Sequence, residues 1–145
     1  MQPYPHTYVV VASGGPEGFL DLRGEGLEPI VTAPPAEFGG PGDRWSPETL
    51  FVGAIADCFI LTFRAIARAS RFEWRTLRCR AEGVLDRVDG VTRFVTVRIH
   101  VELEPAEAGR EDQARRLLEK AEKGCLITNS LVAEVALETT VRPPG

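Results

Sequence analysis

The chain has 145 residues, a net charge of −4, 43% hydrophobic and 26% charged residues, which suits a single globular domain over 1–145 and excludes extensive disorder. Its basic residues are scattered, so no electrostatic footprint for nucleic acid is present. His6 and His100 lie far apart and the three cysteines have no CxxC spacing, which gives neither a metal-ligand pattern nor a disulfide framework.

The N-terminal MQPYPHTYVVVASGG has no basic start and no long apolar run, and the expected location is the cytoplasm. Residues 7–13 (TYVVVAS) form a β-branched run closed by Gly14-Gly15-Pro16, and Phe19–Leu22 and Glu28–Thr32 read as two further short strands. Together they predict a small meander. The Pro- and Gly-rich stretch 33–45 reads as a loop, long enough to line a site or simply to connect the meander with the next element.

Ser46–Ala69 (SPETLFVGAIADCFILTFRAIARA) is the stretch around which the chain is organised. Ser46 suits an N-cap, Pro47 the first helical position, and Glu48 the positive end of the helix dipole. From Leu50 onward the segment is apolar nearly all round, and such a helix must be buried in a core or between subunits. It is about the length of a marginal membrane span, but Asp57 near its centre is costly in lipid, so no membrane partner is expected.

Trp74–Asp86 and Thr92–Leu103 predict a hairpin turned by Val88-Asp89-Gly90-Val91. Val95, Val97, Ile99, Val101 and Leu103 share one face of its second strand, and Leu77, Cys79, Ala81 and Leu85 one face of its first. Cys79 thus reads as a small core residue and His100 as a solvated one. Glu111–Lys123 predicts a helix with an apolar stripe of Ala114, Leu117, Leu118 and Ala121, broken at Gly124. Val132–Val141 alternates as a last strand. The expected class is α+β, in the order βββ–α–ββ–α–β.

Cys58 and Cys125, taken singly, read as core residues. Two features point instead to thiol chemistry: Gly124-Cys125 sets a thiol at an irregular junction, and Asp57, Thr62 and Arg64 give the apolar helix polar atoms near Cys58.

SPETLFVGAIADCF resembles the NPE-x-L-x(6)-A-C-F signature of the OsmC/Ohr thiol peroxidases, and AEKGCLITNSL resembles that family's second cysteine motif, an A-x(3)-C-P-[IY]-S-N-type stretch. The resemblance covers nearly the whole chain. It implies an interlocked homodimer whose long central helices are buried between sheets. It implies that Cys58 is the peroxidatic cysteine, oxidised by an organic hydroperoxide to a sulfenic acid, and Cys125 the resolving cysteine that forms a disulfide with it. It implies an external dithiol reductant, lipoyl-type in the family, a role in the oxidative stress response, and no metal, haem or flavin. Glu48 matches the glutamate that orients an activating arginine. Ten residues on one unbroken helix put Glu48 about 15 Å from Cys58. Either the helix breaks, for instance at Gly53, or Glu48 serves the partner's cysteine, which is the expectation here.

The resemblance departs at three places. Cys58 lies too deep in its helix for the helix end to lower its pKa, so a cation is expected. The aligned positions read Pro16-Glu17 or Glu37-Phe38, leaving Arg23 or Arg44 as substitutes. Asp57 replaces a small residue and is expected to disfavour the Cys58 thiolate, and Leu126 replaces the proline after Cys125. These departures motivate an alternative function, a non-catalytic protein of the same fold that binds an apolar ligand at the dimer interface.

Overall fold

A computed structural model describes residues 1–145. The chain forms two compact units, Met1–Phe51 and Val52–Gly145. In the first, β1 (Val11–Ser13), β2 (Leu20–Arg23) and β3 (Ile30–Thr32) form an antiparallel meander in that order. β1 is shorter than the β-branched run predicts: Tyr8, Val9 and Val10 lie exposed ahead of it, with no strand beside them. The loop after β3 carries a 3-10 turn at Ala36–Phe38 and returns so that Thr32 bridges Trp45. Gly40 makes this return possible, because a Cβ there would come within 1.7 Å of the Pro34 carbonyl oxygen.

Helix α1 (Pro47–Ala69) starts where its caps require. Ser46 Oγ accepts the Thr49 amide at 3.1 Å and Thr49 Oγ1 accepts the Ser46 amide at 2.8 Å, a reciprocal cap around the proline. The helix closes with Arg71 at φ 53° and the Phe72 amide on the Ala67 carbonyl at 2.8 Å. Gly53 does not interrupt it.

In the second unit, β4 (Trp74–Val88) and β5 (Val91–Pro105) form a long antiparallel hairpin. Asp89 and Gly90 both have positive φ, as a two-residue hairpin turn that matches the strand twist requires. Helix α2 (Glu111–Gly124) then crosses over to β6 (Glu134–Val141), which pairs with β5 in parallel, and the sheet order is β4-β5-β6. The α+β order βββ–α–ββ–α–β is thus present.

The core holds Val97, Ile99, Val101 and Leu103 of β5, the expected stripe of α2, and the Phe63 ring edge-on to Phe72 and Trp74. Gly83 leaves room for α1: a Cβ there would sit 2.8 Å from a Val52 methyl and 2.9 Å from the Phe94 ring. On β4 the inward face runs through Leu77, Cys79 and Ala81, and the register shift between Val84 and Leu85 then ends the alternation, so Leu85 is exposed.

Within a single chain, Ile55, Phe59, Phe63 and Ala67 of α1 are buried, one stripe at four-residue spacing. The helix has the length and apolar character of a membrane span, with a mean hydropathy of 1.9, yet 22% of that window is buried. A sheet covers one face of a helix, and here Leu61 and its neighbours are left to solvent.

Candidate functional site

Cys58 sits on α1 one turn before Thr62, whose Oγ1 lies 3.8 Å from the Cys58 sulfur. The second thiol arrives from the end of α2. After Gly124 the chain leaves the helix at Cys125, with φ −69° and ψ 111°, and re-enters helical geometry by Ile127, at φ −70° and ψ −50°. The Cys125 carbonyl accepts the Asn129 amide at 3.0 Å and the Thr128 hydroxyl at 3.1 Å. Cys125 thus ends α2 and its carbonyl anchors the turn that continues as a 3-10 turn over Thr128–Ser130.

The backbone amides of Ile127 and Leu126 bear on Cys58, and that of Thr128 on Cys125. The Cys125 thiol also donates to Cys58. Burial pushes the Cys58 thiol up, but these donors, with the Thr62 hydroxyl, outweigh it and leave its pKa below the ordinary thiol value. Burial pushes Cys125 up, the Thr128 amide opposes it, and the donation to Cys58 pushes it further up, so Cys125 stays a thiol. The pair is thus divided into a thiolate-prone sulfur and a proton-holding one. Cys125 is fully buried, whereas Cys58 is half-buried.

The groups of this chain that lower Cys58 are neutral, with no cation among them. Asp57 does not act on Cys58: its charge bears on Cys79, which burial, then Cys125, then Asp57 raise from 9.0 to about 11. Cys79 is a protonated inward residue of β4, in keeping with its place in the sequence pattern. His100 faces outward, as expected, with Nδ1 2.8 Å from Glu138.

Glu48 belongs to the first unit. It lines a cavity of about 350 Å³ with Pro16, Glu17, Pro34, Phe38 and Pro47. Its Oε1 is buried without a hydrogen-bond partner. The positions the resemblance reserves for an arginine, at Pro16-Glu17 and Phe38, do converge on this cavity, but no basic side chain lines it. Arg23 pairs with Asp21, and Arg44 lies over the Phe19 ring at 5.1 Å. Because α1 is unbroken, Glu48 is about three turns from the Cys58 of its own chain. No three His, Cys, Asp or Glu side chains converge as a metal site.

The amides of Leu126 and Ile127 are the part of the site that residue types do not announce. The one available signal is Thr128-Asn129-Ser130 after Cys125, a run of turn-forming side chains that starts a new helical turn at the cysteine.

Residues 40–140 match the family model described as OsmC-like protein. The chain belongs to the OsmC-like family. It is 32% identical over 117 residues to the uncharacterized protein YmaD of Bacillus subtilis, covering 77% of each chain. It is 27% identical over 138 residues to an organic hydroperoxide resistance protein of Xanthomonas axonopodis pv. citri, covering 94% of each. Among solved structures, an OsmC-like protein of unknown function from Vibrio cholerae superposes with a TM-score of 0.85 at 18% identity, over 93% of this chain and 99% of that one. The OsmC-like family includes organic hydroperoxide resistance proteins, and the two cysteines described above fall within the matched residues.

Proposed function

We propose that this OsmC-like protein is a thiol peroxidase that reduces organic hydroperoxides in the cytoplasm, as part of the response to oxidative stress. The observation that carries the reading is the division of labour between two hydrogen-bonded sulfurs, one lowered and one raised in pKa. The Cys58 thiolate attacks the distal oxygen of ROOH, the O–O bond breaks, and the alkoxide leaves as ROH after taking a proton. Cys58 is then a sulfenic acid, two electrons oxidised. The Cys125 sulfur attacks the Cys58 sulfur, the S–O bond breaks, and the hydroxyl leaves as water with the Cys125 proton. A dithiol reductant restores both thiols by exchange. Leu61 and Leu126 are exposed apolar side chains close in sequence to Cys58 and Cys125, and they favour an alkyl tail over hydrogen peroxide.

The functional form is read as a homodimer, supported by the apolar face of α1 that one chain leaves uncovered and by the exposed Val9, Val10, Ile30 and Val31 of the first unit. In that form Glu48 serves the partner's Cys58. The deciding experiment is single-turnover consumption of cumene hydroperoxide by the reduced protein, with intact mass recorded afterwards. One equivalent consumed with a Cys58–Cys125 disulfide is the expected result. No consumption, with all three thiols free, would leave the non-catalytic ligand-binding reading.

A further inference from the structure

We propose that α1 packs antiparallel against α1 of a second copy of this chain, in a register set by ion pairs between Asp57 and the partner's Arg64. The pairing rests on the homodimer of the preceding reading and is independent of its peroxide chemistry. Ala54, Asp57, Leu61, Arg64, Ala65 and Arg68 are all exposed. They fall within about 100° of one another around the helix axis, opposite the buried stripe of Ile55, Phe59, Phe63 and Ala67. Leu61, 58% exposed, lies at the midpoint of this outer stripe. Asp57, Arg64 and Arg68 take no part in the ion pairs of the chain. A helix of mean hydropathy 1.9 that is 22% buried thus carries an outward seam with unspent charge on it.

The order of those charges selects the occupant. Along the stripe an acid comes first and two bases follow, so the seam is complementary to its own reversed copy. Beside a parallel copy in register, Asp57 would face Asp57 and each arginine its own like, which opposes association. Asp57 and Arg64 are seven residues apart, about 20° around the axis and about 10.5 Å along it, so both lie on one flank of the stripe. A two-fold axis between antiparallel helices brings like flanks together, and charges beside an apolar seam then set partner and orientation. With that axis beside Leu61, Asp57 stands level with the partner's Arg64, and the symmetry repeats the pair on the other side. Leu61 packs on the partner's Leu61 between the two pairs. Arg68 comes level with the partner's Ala54, whose small side chain leaves the guanidinium room to turn towards the partner's Asp57.

Charge reversal tests the register. Sedimentation velocity over a concentration series reads the dimer Kd of the full chain, and circular dichroism verifies the fold of each variant. Asp57→Arg and Arg64→Asp each set like charges together twice and should raise Kd about a hundredfold. The double variant Asp57→Arg/Arg64→Asp restores opposite charges with the net charge of −4 unchanged, and should return Kd to within about threefold of the starting value. Asp57→Asn and Arg64→Gln keep the side-chain shapes, serve where a reversal fails to fold, and should each raise Kd about tenfold. A chain that stays monomeric, or a folded double variant as weak as the single ones, would overturn the pairing. A dimer indifferent to both reversals would overturn it too, while leaving a homodimer through another face. If every Kd moves as expected and hydroperoxide is not consumed, the helix pairing stands and the peroxidase reading falls.

Discussion

Glu48 and Cys58 share one helix, yet their surroundings differ in kind. Cys58 has the Thr62 hydroxyl 3.8 Å from its sulfur, and neutral groups of its own unit hold its pKa below the ordinary thiol value. Glu48 has a buried carboxylate oxygen with no donor, in a cavity that contains a second carboxylate, Glu17, and no basic group. A half-buried thiol can be lowered by neutral donors, whereas a buried carboxylate oxygen without a donor is costly. On the peroxidase reading, the proposed nucleophile has its partners within its own unit, and Glu48 does not.

The sharpest way to break this comparison is Cys58→Ser, which should abolish hydroperoxide consumption outright while Cys79→Ser leaves it intact. Activity surviving in Cys58→Ser would move the nucleophile elsewhere. Glu48→Gln is next. With Glu48 serving the partner, turnover should fall about tenfold, or 1.4 kcal/mol, without a change in the Cys58 pKa. Unaltered turnover would reduce Glu48 to a helix-end charge, whose loss shows only as a few tenths of a kcal/mol in stability.

Cys79 gives a pH signature. Its pKa is raised in the folded chain, so the contribution to stability is full below pH 9.0 and is lost as pH rises towards about 11, where the unfolded thiol ionises first. Because the residue is only partly buried, we expect a loss of about 1 kcal/mol over that window, absent in Cys79→Ala, in urea unfolding at both ends of the range. Thr62→Val should have the smallest effect. Its hydroxyl lies 3.8 Å from the sulfur, a weak contact, and thiol alkylation at neutral pH should slow about twofold. A tenfold drop there would mean that Thr62, not the turn, holds the thiolate.

The legible parts of the fold are those written in side-chain periodicity. The faces of β5 and α2 follow from alternation and from a four-residue stripe, and Ser46-Pro47 marks the start of α1 to the residue. Features set by pairing are not written that way. Nothing in Val135–Val141 says that β6 joins β5 in parallel, and the register shift that turns Leu85 outward is a backbone event. The site divides similarly. Cys58 and Cys125 stand out as residue types, but the donors that lower Cys58 are amides, which every residue except proline carries. Asp57 misleads for a related reason: adjacent positions on a helix point about 100° apart, so the neighbour of Cys58 in sequence acts on β4 instead.

The capping role of Cys125 also carries a message about hydrogen exchange. In the dithiol form its sulfur accepts the Thr128 amide and secures the turn that ends at Leu131. A sulfur committed to a disulfide is a poorer acceptor, and the turn loses its clasp. On the proposed peroxidase reading, oxidation would loosen the segment beside the joined pair and open the S–S bond to a reductant. On that reading the Thr128 amide should exchange slowly when the thiols are reduced and faster once they are joined.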